Sequence, residues 1–155
     1  MIPAEEIPDN PSFERFQTVC RDAGLKLTPQ RLEIYNELAI ARDHPSAEDI
    51  FHRVRRRMPT IALDTVYRTL TTFESIGAIA RVDVADDRAR FDAELGPHHH
   101  CVCTRCRSIK DFQWETFDIM GMPKETGAWG RLMDKQVVLR GVCRECLRKE
   151  ADAEG

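Results

Sequence analysis

Hydrophobic residues recur at helical spacing in four segments of the first half of the chain. Gly24 and Gly77 stand just after two of these segments, where a glycine commonly follows a helix C-terminus. Thr28 and Ser46 stand just before two others and can cap a helix N-terminus. The pattern predicts helices over residues 12–23, from residue 29, from residue 47, and over residues 63–76.

Two of these predicted helices have faces whose composition can be read directly. In the second helix the predicted core face is Leu32, Tyr35, Leu38 and Ala39. In the fourth helix the apolar face is Leu63, Val66, Leu70 and Phe73, and the polar face is Tyr67, Arg68, Thr71 and Thr72.

The residues after Gly77 predict two short strands, over 79–84 and 88–92, joined by a polar turn at 85–87. Short helices followed by a β-hairpin are the plan of a winged helix-turn-helix, whose later helix enters the major groove of DNA. On that helix Arg68 can donate two hydrogen bonds to a guanine edge, and Tyr67 can touch a thymine methyl group or a phosphate. An ordinary amphipathic surface helix is the alternative.

A second region with a different pattern begins after Glu94 to Pro97. It contains predicted strands over residues 98–103, 108–113 and 136–142. Glycines and a proline interrupt residues 116–132, which predicts a short or broken helix. A terminal helix is expected over 143–150, with 151–155 disordered. The predicted organisation is residues 1–93, a hinge at 94–97, and residues 98–155.

Overall charge gives no support for nucleic-acid binding, because the net charge of the 155 residues is -3. A local basic surface would be needed. No apolar run reaches the length of a membrane span, and the N-terminus lacks the basic and apolar regions of a signal peptide. A cytoplasmic protein with reduced thiols is therefore expected.

Two C-x-x-C pairs, Cys103 with Cys106 and Cys143 with Cys146, are the clearest chemical signal in the chain. Four thiolates at this spacing form the tetrahedral sulfur set that Zn²⁺ prefers in a closed structural site. Two separate redox pairs, or two structural disulfides, are the alternatives. The expected cytoplasmic setting disfavours disulfides.

The histidines beside the first pair predict a second metal site. In an extended strand His98 and His100 face one way, whereas His99, Cys101 and Cys103 face the other. A nitrogen-rich site on the first face could be completed by Asp111, Asp92 and His44. Three imidazoles and two carboxylates suit Fe²⁺, Mn²⁺ or Zn²⁺. A lone histidine is more often a surface residue, but the close pair favours metal.

Seven segments of the chain carry a resemblance to a known family. They are LKLTPQR at 25–31, HPSAEDI at 44–50, LDTVYRTL at 63–70, RFD at 90–92, HHHCVCTRC at 98–106, IKDF at 109–112 and GVCREC at 141–146. In this order and at this spacing they resemble the ferric uptake regulator (Fur) family of metal-dependent bacterial repressors.

The resemblance implies an α+β chain. Its N-terminal winged helix-turn-helix DNA-binding domain would be followed by a small α/β dimerisation domain with a three-stranded sheet and a four-cysteine zinc site. It also implies a homodimer that binds a palindromic operator in double-stranded DNA when a regulatory metal is present.

The resemblance also implies roles for individual positions. Structural zinc would be held by Cys103, Cys106, Cys143 and Cys146. The regulatory metal, Fe²⁺ or Mn²⁺, would be held by His44, Asp92, His98, His100 and Asp111. DNA would be contacted by Lys26, Arg31, Thr65, Tyr67 and Arg68, with Lys26 in the minor groove and Tyr67 and Arg68 in the major groove.

Two features of the resemblance point to different branches of the family. Aspartates at both 92 and 111 resemble the peroxide-sensing regulators (PerR), in which oxidation of an iron-ligating histidine releases DNA. Arg68 resembles the iron-uptake regulators. Peroxide sensing is the preferred interpretation, iron sensing is the alternative, and zinc sensing is a smaller third possibility.

The chain departs from the family pattern in two places. Ala62 stands where a hydroxyl or glycine often starts the recognition helix, so the usual hydroxyl cap is not expected. Residues 132–139 lack a histidine that many members carry, which argues against a further histidine-rich metal site.

Functions outside this family have weaker support, and no enzymatic activity is expected. A thiol oxidoreductase would need a thioredoxin-like βαβ context, which neither C-x-x-C pair has, and coordinated thiolates are poor nucleophiles. A hydrolase built on His98, His100 and Asp111 lacks an apparent nucleophile or base. A zinc-stapled interaction module without an operator is the remaining alternative.

Overall fold

The computed structural model describes residues 11–82 and 88–155. The chain divides into two compact units, Met1–Leu95 and Gly96–Gly155. This division falls within the segment 94–97 that separates the two sequence patterns. Among the described helices, none is both long and apolar enough to cross a lipid bilayer.

The described part of the first unit contains helices followed by an antiparallel pair of strands. The helices are α1 (Pro11–Asp22), α2 (Pro29–Ile40), α3 (Ala47–Val54) and α4 (Leu63–Ser75), and the strands are β1 (Ala80–Val82) and β2 (Arg90–Asp92). This order of elements is the predicted winged helix-turn-helix. The predicted turn at 85–87, and the end of the first predicted strand, lie outside the described residues.

Local signals fix the helix ends of the first unit. The hydroxyls of Thr28 and Ser46 each accept a hydrogen bond at 3.3 Å from the backbone N–H three residues later. Gly24 and Gly77 follow α1 and α4 with φ of 69° and 76°, a conformation that favours glycine. The N-cap of α4 is Ala62, which makes no side-chain cap hydrogen bond, as expected.

An aromatic cluster joins α1, α2 and α4 at the centre of the first unit. The ring of Phe16 stacks on that of Tyr35 with centroids 3.6 Å apart, and the ring of Phe73 meets Phe16 edge-on at 5.0 Å. Cys20 is fully buried in the same core. The first unit therefore has a core that depends on no metal.

The buried face of α2 differs from the prediction, because it carries two glutamates. Glu33 and Glu37 are each 6% exposed, and both pair with the guanidinium of Arg57 just beyond α3. Ala39, predicted to face the core, is exposed. A buried carboxylate is tolerated only beside a charged partner, and here that partner, Arg57, lies outside α2. The spacing of hydrophobic residues within α2 therefore does not predict that these glutamates are buried.

The second unit is built on a three-stranded sheet. Its strands are β3 (His99–Cys103), β4 (Ile109–Phe112) and β5 (Val138–Gly141). They lie in the order β4-β3-β5, with β3 antiparallel to β4 and parallel to β5. The predicted broken helix is present as α5 (Glu115–Ile119) and a 3-10 helix (Lys124–Ala128).

The C-terminal helix α6 (Arg144–Glu154) is longer than predicted. Residues 151–154 are helical, so the expectation of disorder at 151–155 is wrong for those four residues. The sequence here is rich in helix-favouring residues, and ion pairs between Glu145 and Lys149 (3.1 Å) and between Arg105 and Glu150 (2.8 Å) support the helix.

Few apolar side chains are buried in the second unit, all of whose residues the structure describes. The buried apolar residues are Val102, Cys103 and Ile109, and the buried polar residues are His98, His99 and His100. No residue of α5, the 3-10 helix or α6 is buried. Cysteines and histidines therefore take the place of an ordinary hydrophobic core.

Candidate metal centres and nucleic-acid interface

The four cysteines of the two C-x-x-C pairs come together beside the end of β3. Cys103 ends that strand and Cys106 follows it, while Cys143 is the N-cap of α6 and Cys146 lies in its first turn. Their Sγ atoms all lie within 4.8 Å of one another. The separations are 3.9 Å for Cys103–Cys146 and 3.7 Å for Cys106–Cys143.

These separations fit a zinc ion better than either alternative. Four sulfurs placed tetrahedrally about Zn²⁺ at about 2.3 Å lie about 3.8 Å from one another. A disulfide would require roughly 2.05 Å, and all six cysteines of the chain are free thiols. Because all four sulfurs form one cluster, the idea of two separate redox pairs also loses its support.

Hydrogen bonds around the cluster favour deprotonation of Cys103 and Cys106 and disfavour that of Cys146. The backbone N–H of Cys143 donates to the Cys103 sulfur at 3.3 Å and, with a second bond from Cys106, lowers the pKa of Cys103 to about 6. A hydrogen bond with Ser108 lowers the pKa of Cys106. The hydrogen bond of the Cys146 thiol with Cys143 stabilises its protonated form and, together with desolvation, raises the pKa of Cys146 to about 12. A divalent cation bound at the cluster would favour the thiolate of Cys146 as well.

His98 and His100 approach the same carboxylate in the second unit, as strand periodicity predicted. Their ring centroids lie 4.8 Å apart with the planes perpendicular. Asp111 lies opposite His100 on β4, and its Oδ1 is 4.0 Å from His98 Nε2 and 3.3 Å from His100 Nε2. His98 Nδ1 lies 2.7 Å from the carbonyl oxygen of Gly96. Because a carbonyl only accepts, Nδ1 carries the proton and Nε2 is left to ligate.

A separate imidazole–carboxylate pair lies in the first unit. His44 precedes α3 and Asp92 ends β2, and the distance between His44 Nε2 and Asp92 Oδ2 is 3.4 Å. Both residues are buried. The other carboxylate oxygen of Asp92 accepts a hydrogen bond from the backbone N–H of Glu94 at 2.8 Å, which orients the group. Nitrogen and oxygen donors of this kind suit Fe²⁺, Mn²⁺ or Zn²⁺.

His99 belongs to neither set of ligands. Its ring packs against Phe112 and Phe117, with centroids 5.3 Å away in each case. Its Nε2 lies 2.9 Å from Asp118 Oδ1, and its Nδ1 accepts a hydrogen bond from the backbone N–H of Val137 at 3.1 Å. These contacts give His99 a structural role on the opposite side of β3.

Lys135 lies in the stretch 132–139 that lacks a histidine. Its ammonium group donates to the carbonyls of Phe117 and Met120 at the end of α5 and lies 4.7 Å from the centre of the Phe117 ring. A cation is favourable at a helix C-terminus and over an aromatic face. This stretch therefore contributes a cation that stabilises the C-terminal end of α5.

Tyr67 and Arg68 project from the exposed side of α4, where the helical pattern predicted them. A carboxylate holds each one. The Tyr67 hydroxyl donates to Glu48 of α3, and Arg68 Nε lies 2.9 Å from Asp64 Oδ2 one turn earlier. The hydrogen bond lowers the pKa of Glu48 and raises that of Tyr67. Both side chains thus have an acidic partner in the absence of DNA, and the exposed Arg68–Asp64 pair contributes little to stability.

A polar surface cavity of about 310 Å³ lies between the start of α2 and the exposed side of α4. Arg31, Thr65 and Arg68 are among its lining residues. The guanidinium of Arg31 also donates to the backbone carbonyl of Lys26 at 2.5 Å. The two arginines and the N-terminus of α2 contribute positive charge to this surface, and Asp64, which also lines the cavity and pairs with Arg68, offsets part of it.

Comparison with known proteins places these features in a family context. The profile of the Ferric uptake regulator family matches residues 22–126. The peroxide-responsive repressor PerR of Staphylococcus epidermidis is 30% identical over 126 residues, which cover 81% of this chain and 84% of that protein.

Solved structures give the same picture. The ferric uptake regulator of Pseudomonas aeruginosa, determined with manganese, aligns with a TM-score of 0.65 at 29% identity, over 83% of this chain and 97% of that one. The Helicobacter pylori ferric uptake regulator aligns with a TM-score of 0.70, over 88% and 91%. At 23% identity the second match is a likeness of fold alone.

Proposed function

Because the chain belongs to the ferric uptake regulator family, we propose that it binds a palindromic DNA operator as a homodimer when a regulatory metal is present. Members of this family are transcriptional regulators and not enzymes, and the chain is a metal-dependent repressor of the same kind. It would act in the cytoplasm. The observation that carries the proposal is the pair of His/Asp donor sets, one in each unit, on a chain with a winged helix-turn-helix.

Zn²⁺ would be held permanently by Cys103, Cys106, Cys143 and Cys146. The sulfur separations and the lowered pKa of Cys103 support this assignment. A closed four-thiolate site leaves no open position for chemistry. Its function would be to fasten the N-terminus of α6 to the end of β3.

A regulatory Fe²⁺ or Mn²⁺ would be shared by His44 and Asp92 of the first unit and His98, His100 and Asp111 of the second. Such a cation would bind best in one relative orientation of the two units, because only that orientation supplies every ligand. It would therefore shift the population toward that orientation by its differential affinity. DNA binding would in turn tighten metal binding by the same factor.

Recognition of DNA would use Lys26, Arg31, Thr65, Tyr67 and Arg68. The exposed position of Tyr67 and Arg68 on α4 supports direct contacts with bases in the major groove. Arg31 and Thr65 line the same polar cavity as Arg68, which supports contacts with phosphate. Lys26, joined to Arg31 through its carbonyl, would reach the minor groove.

The second unit would form the dimer. It exposes several large apolar side chains, and Ile119, Trp129 and Met133 are each more than three-quarters exposed. The exposure of several large apolar side chains on a small unit with few buried residues supports a protein partner, and a second copy of the chain is the usual one.

Peroxide is the signal best supported by the ligand set and by the similarity to PerR of S. epidermidis. Bound Fe²⁺ would supply the redox chemistry. In the overall change one ligand histidine would gain an oxygen atom from hydrogen peroxide, and water would be released. Iron sensing is the alternative that Arg68 favours, and zinc sensing is less favoured.

Two experiments test these proposals. Binding of the zinc-loaded protein to genomic DNA fragments should become sequence-specific on addition of Mn²⁺. If no divalent metal produces sequence-specific binding, the repressor proposal is refuted and the zinc-stapled interaction module becomes the favoured function. Mass spectrometry after Fe²⁺-loaded protein meets low peroxide should then find one added oxygen on His44 or His98. Unmodified histidines, with metal-dependent DNA binding intact, would favour iron sensing.

A further inference from the structure

Strand β2 supports the loop that carries His44. Arg90 reaches back across 46 residues of sequence, and its Nε donates to the carbonyl of His44. Its Nη2 donates to the carbonyl of Asp43 at 2.7 Å. The backbone N–H of Phe91 donates to the carbonyl of Pro45 at 3.1 Å. Three consecutive carbonyls of the loop therefore accept hydrogen bonds from two consecutive residues of β2.

His44 needs this support because its backbone is strained. Its φ of 50° lies in the left-handed region that residues with a Cβ atom rarely adopt. Such a conformation persists only where its surroundings over-determine it. The imidazole is also buried at 3% exposure, with Nε2 only 3.4 Å from Asp92. A change in the backbone at His44 would redirect its ring away from Asp92.

We propose that Arg90 is a positioning residue for the regulatory metal, because it holds His44 in its ligating conformation and ties it to the strand that carries Asp92. The inference rests on the proposed regulatory site. The three consecutive residues Arg90, Phe91 and Asp92 then act together to build this half of the metal site. Arg90 fixes the loop, Phe91 anchors the strand in the core, and Asp92 supplies a ligand.

The shape of the arginine side chain is essential to this role. A planar guanidinium presents Nε and Nη2 in fixed relative positions, which match two neighbouring carbonyls. A lysine ammonium carries the same charge but has one nitrogen on a flexible stem. Replacement by lysine therefore removes the paired contact and keeps the charge.

Contact with a DNA phosphate is the competing role for an arginine on this hairpin. The two roles predict different measurements. A positioning residue changes metal affinity in the absence of DNA. A phosphate contact changes DNA affinity at saturating metal and leaves metal affinity alone.

The test compares Arg90→Lys with Arg81→Lys in the full-length, zinc-loaded protein. Arg81 is a matched control because it lies on β1, the strand paired with β2, and its guanidinium pairs with Glu74 of α4. Its guanidinium also lies 5.6 Å from the centre of the Phe91 ring, and lysine keeps a cation over that ring. Mn²⁺ affinity is measured without DNA, by competition with a fluorescent chelator. Loss of a residue that orients a metal ligand typically costs about 10- to 100-fold in affinity. We expect a loss of about tenfold or more for Arg90→Lys and none for Arg81→Lys.

Further measurements distinguish the outcomes. Operator affinity of Arg90→Lys should recover at saturating Mn²⁺, and zinc content should be unchanged. Equal Mn²⁺ affinity in Arg90→Lys and the wild type would overturn the proposal. Weaker operator binding at saturating Mn²⁺ with normal Mn²⁺ affinity would overturn it in favour of a phosphate contact. Wild-type protein that binds no Mn²⁺ beyond its zinc would instead refute the regulatory site itself.

A second variant covers the case in which Arg90→Lys does not fold. Arg90→Gln keeps one amide donor and removes the charge. Circular dichroism without Mn²⁺ establishes that the variant used is folded. A folded Arg90→Gln protein should show the same loss of Mn²⁺ affinity, and normal affinity would count against the proposal.

Discussion

Removing the zinc, by chelation or by Cys106→Ser, should unfold the second unit and leave the first folded. The magnitudes follow from what each unit buries. In the second unit, Val102 and Ile109 are the buried aliphatic side chains. Full burial of such a side chain contributes about 1.5–3 kcal/mol, so the two contribute about 3–6 kcal/mol together. Structural Zn²⁺ contributes about 10–16 kcal/mol in small zinc domains. Within one protomer the metal is therefore the larger contribution.

The assay is hydrogen–deuterium exchange with peptide resolution, with bound zinc quantified in the same samples. Amides of β5 and α6 should lose protection as zinc is lost, because α6 has no buried residue to hold it in place. Amides of α2 and α4 should keep theirs, because the aromatic core of the first unit needs no metal. Cys101→Ser is the matched control, since Cys101 is exposed and outside the sulfur cluster.

Two results would refute this reasoning. One is that the amides of α6 stay protected from exchange after a thiol titration has shown that the zinc is lost. The other is a Cys106→Ser protein that still binds zinc and forms a stable dimer, which would mean that the four cysteines are not one site.

Three further predictions concern sensing, recognition and stability. Asp92→Ala should weaken metal-stimulated operator binding with zinc content unchanged; normal activation would remove Asp92 from the regulatory site. Arg68→Ala should cost about 1–3 kcal/mol of discrimination at one base pair, measured by competition between operator variants. If preference is unaltered, sequence is read elsewhere. The hydrogen bond with Arg53 holds the pKa of Asp43 below its usual 3.8. The stabilisation of the folded protein by this hydrogen bond should be present above pH 3.8 and lost as the pH falls below it. Asp43→Asn should therefore remove this part of the pH dependence of the free energy of unfolding, measured by acid denaturation.

Local signals made much of the fold predictable. The capping hydroxyls of Thr28 and Ser46 act within one helical turn, and a strand alternates its side chains with a fixed period of two. That period alone separates His98 and His100 from Cys103 of the sulfur cluster, because residues an odd number of positions apart face opposite sides of the strand.

Long-range partners were not predictable in the same way. Periodicity placed an alanine in the core of α2 and missed Glu33 and Glu37, because their burial depends on Arg57 at least 20 residues away. In the sequence, Arg90 is a basic residue of a predicted strand and nothing marks its partner. Its hydrogen bonds to the loop around His44 depend on how β2 meets that loop, which sequence spacing does not encode.

The start of α6 places two demands on a single side chain. Cys143 is a member of the sulfur cluster, and its Sγ also accepts the backbone N–H of Cys146 as the helix cap, at 3.5 Å. A serine at position 143 could cap the helix but would supply no thiolate to the metal. A cysteine one residue away could supply the thiolate but would not cap the helix. Substitution here is therefore more restricted than at a ligand with one task. Oxidation of this sulfur would remove a metal ligand and a helix start in one event.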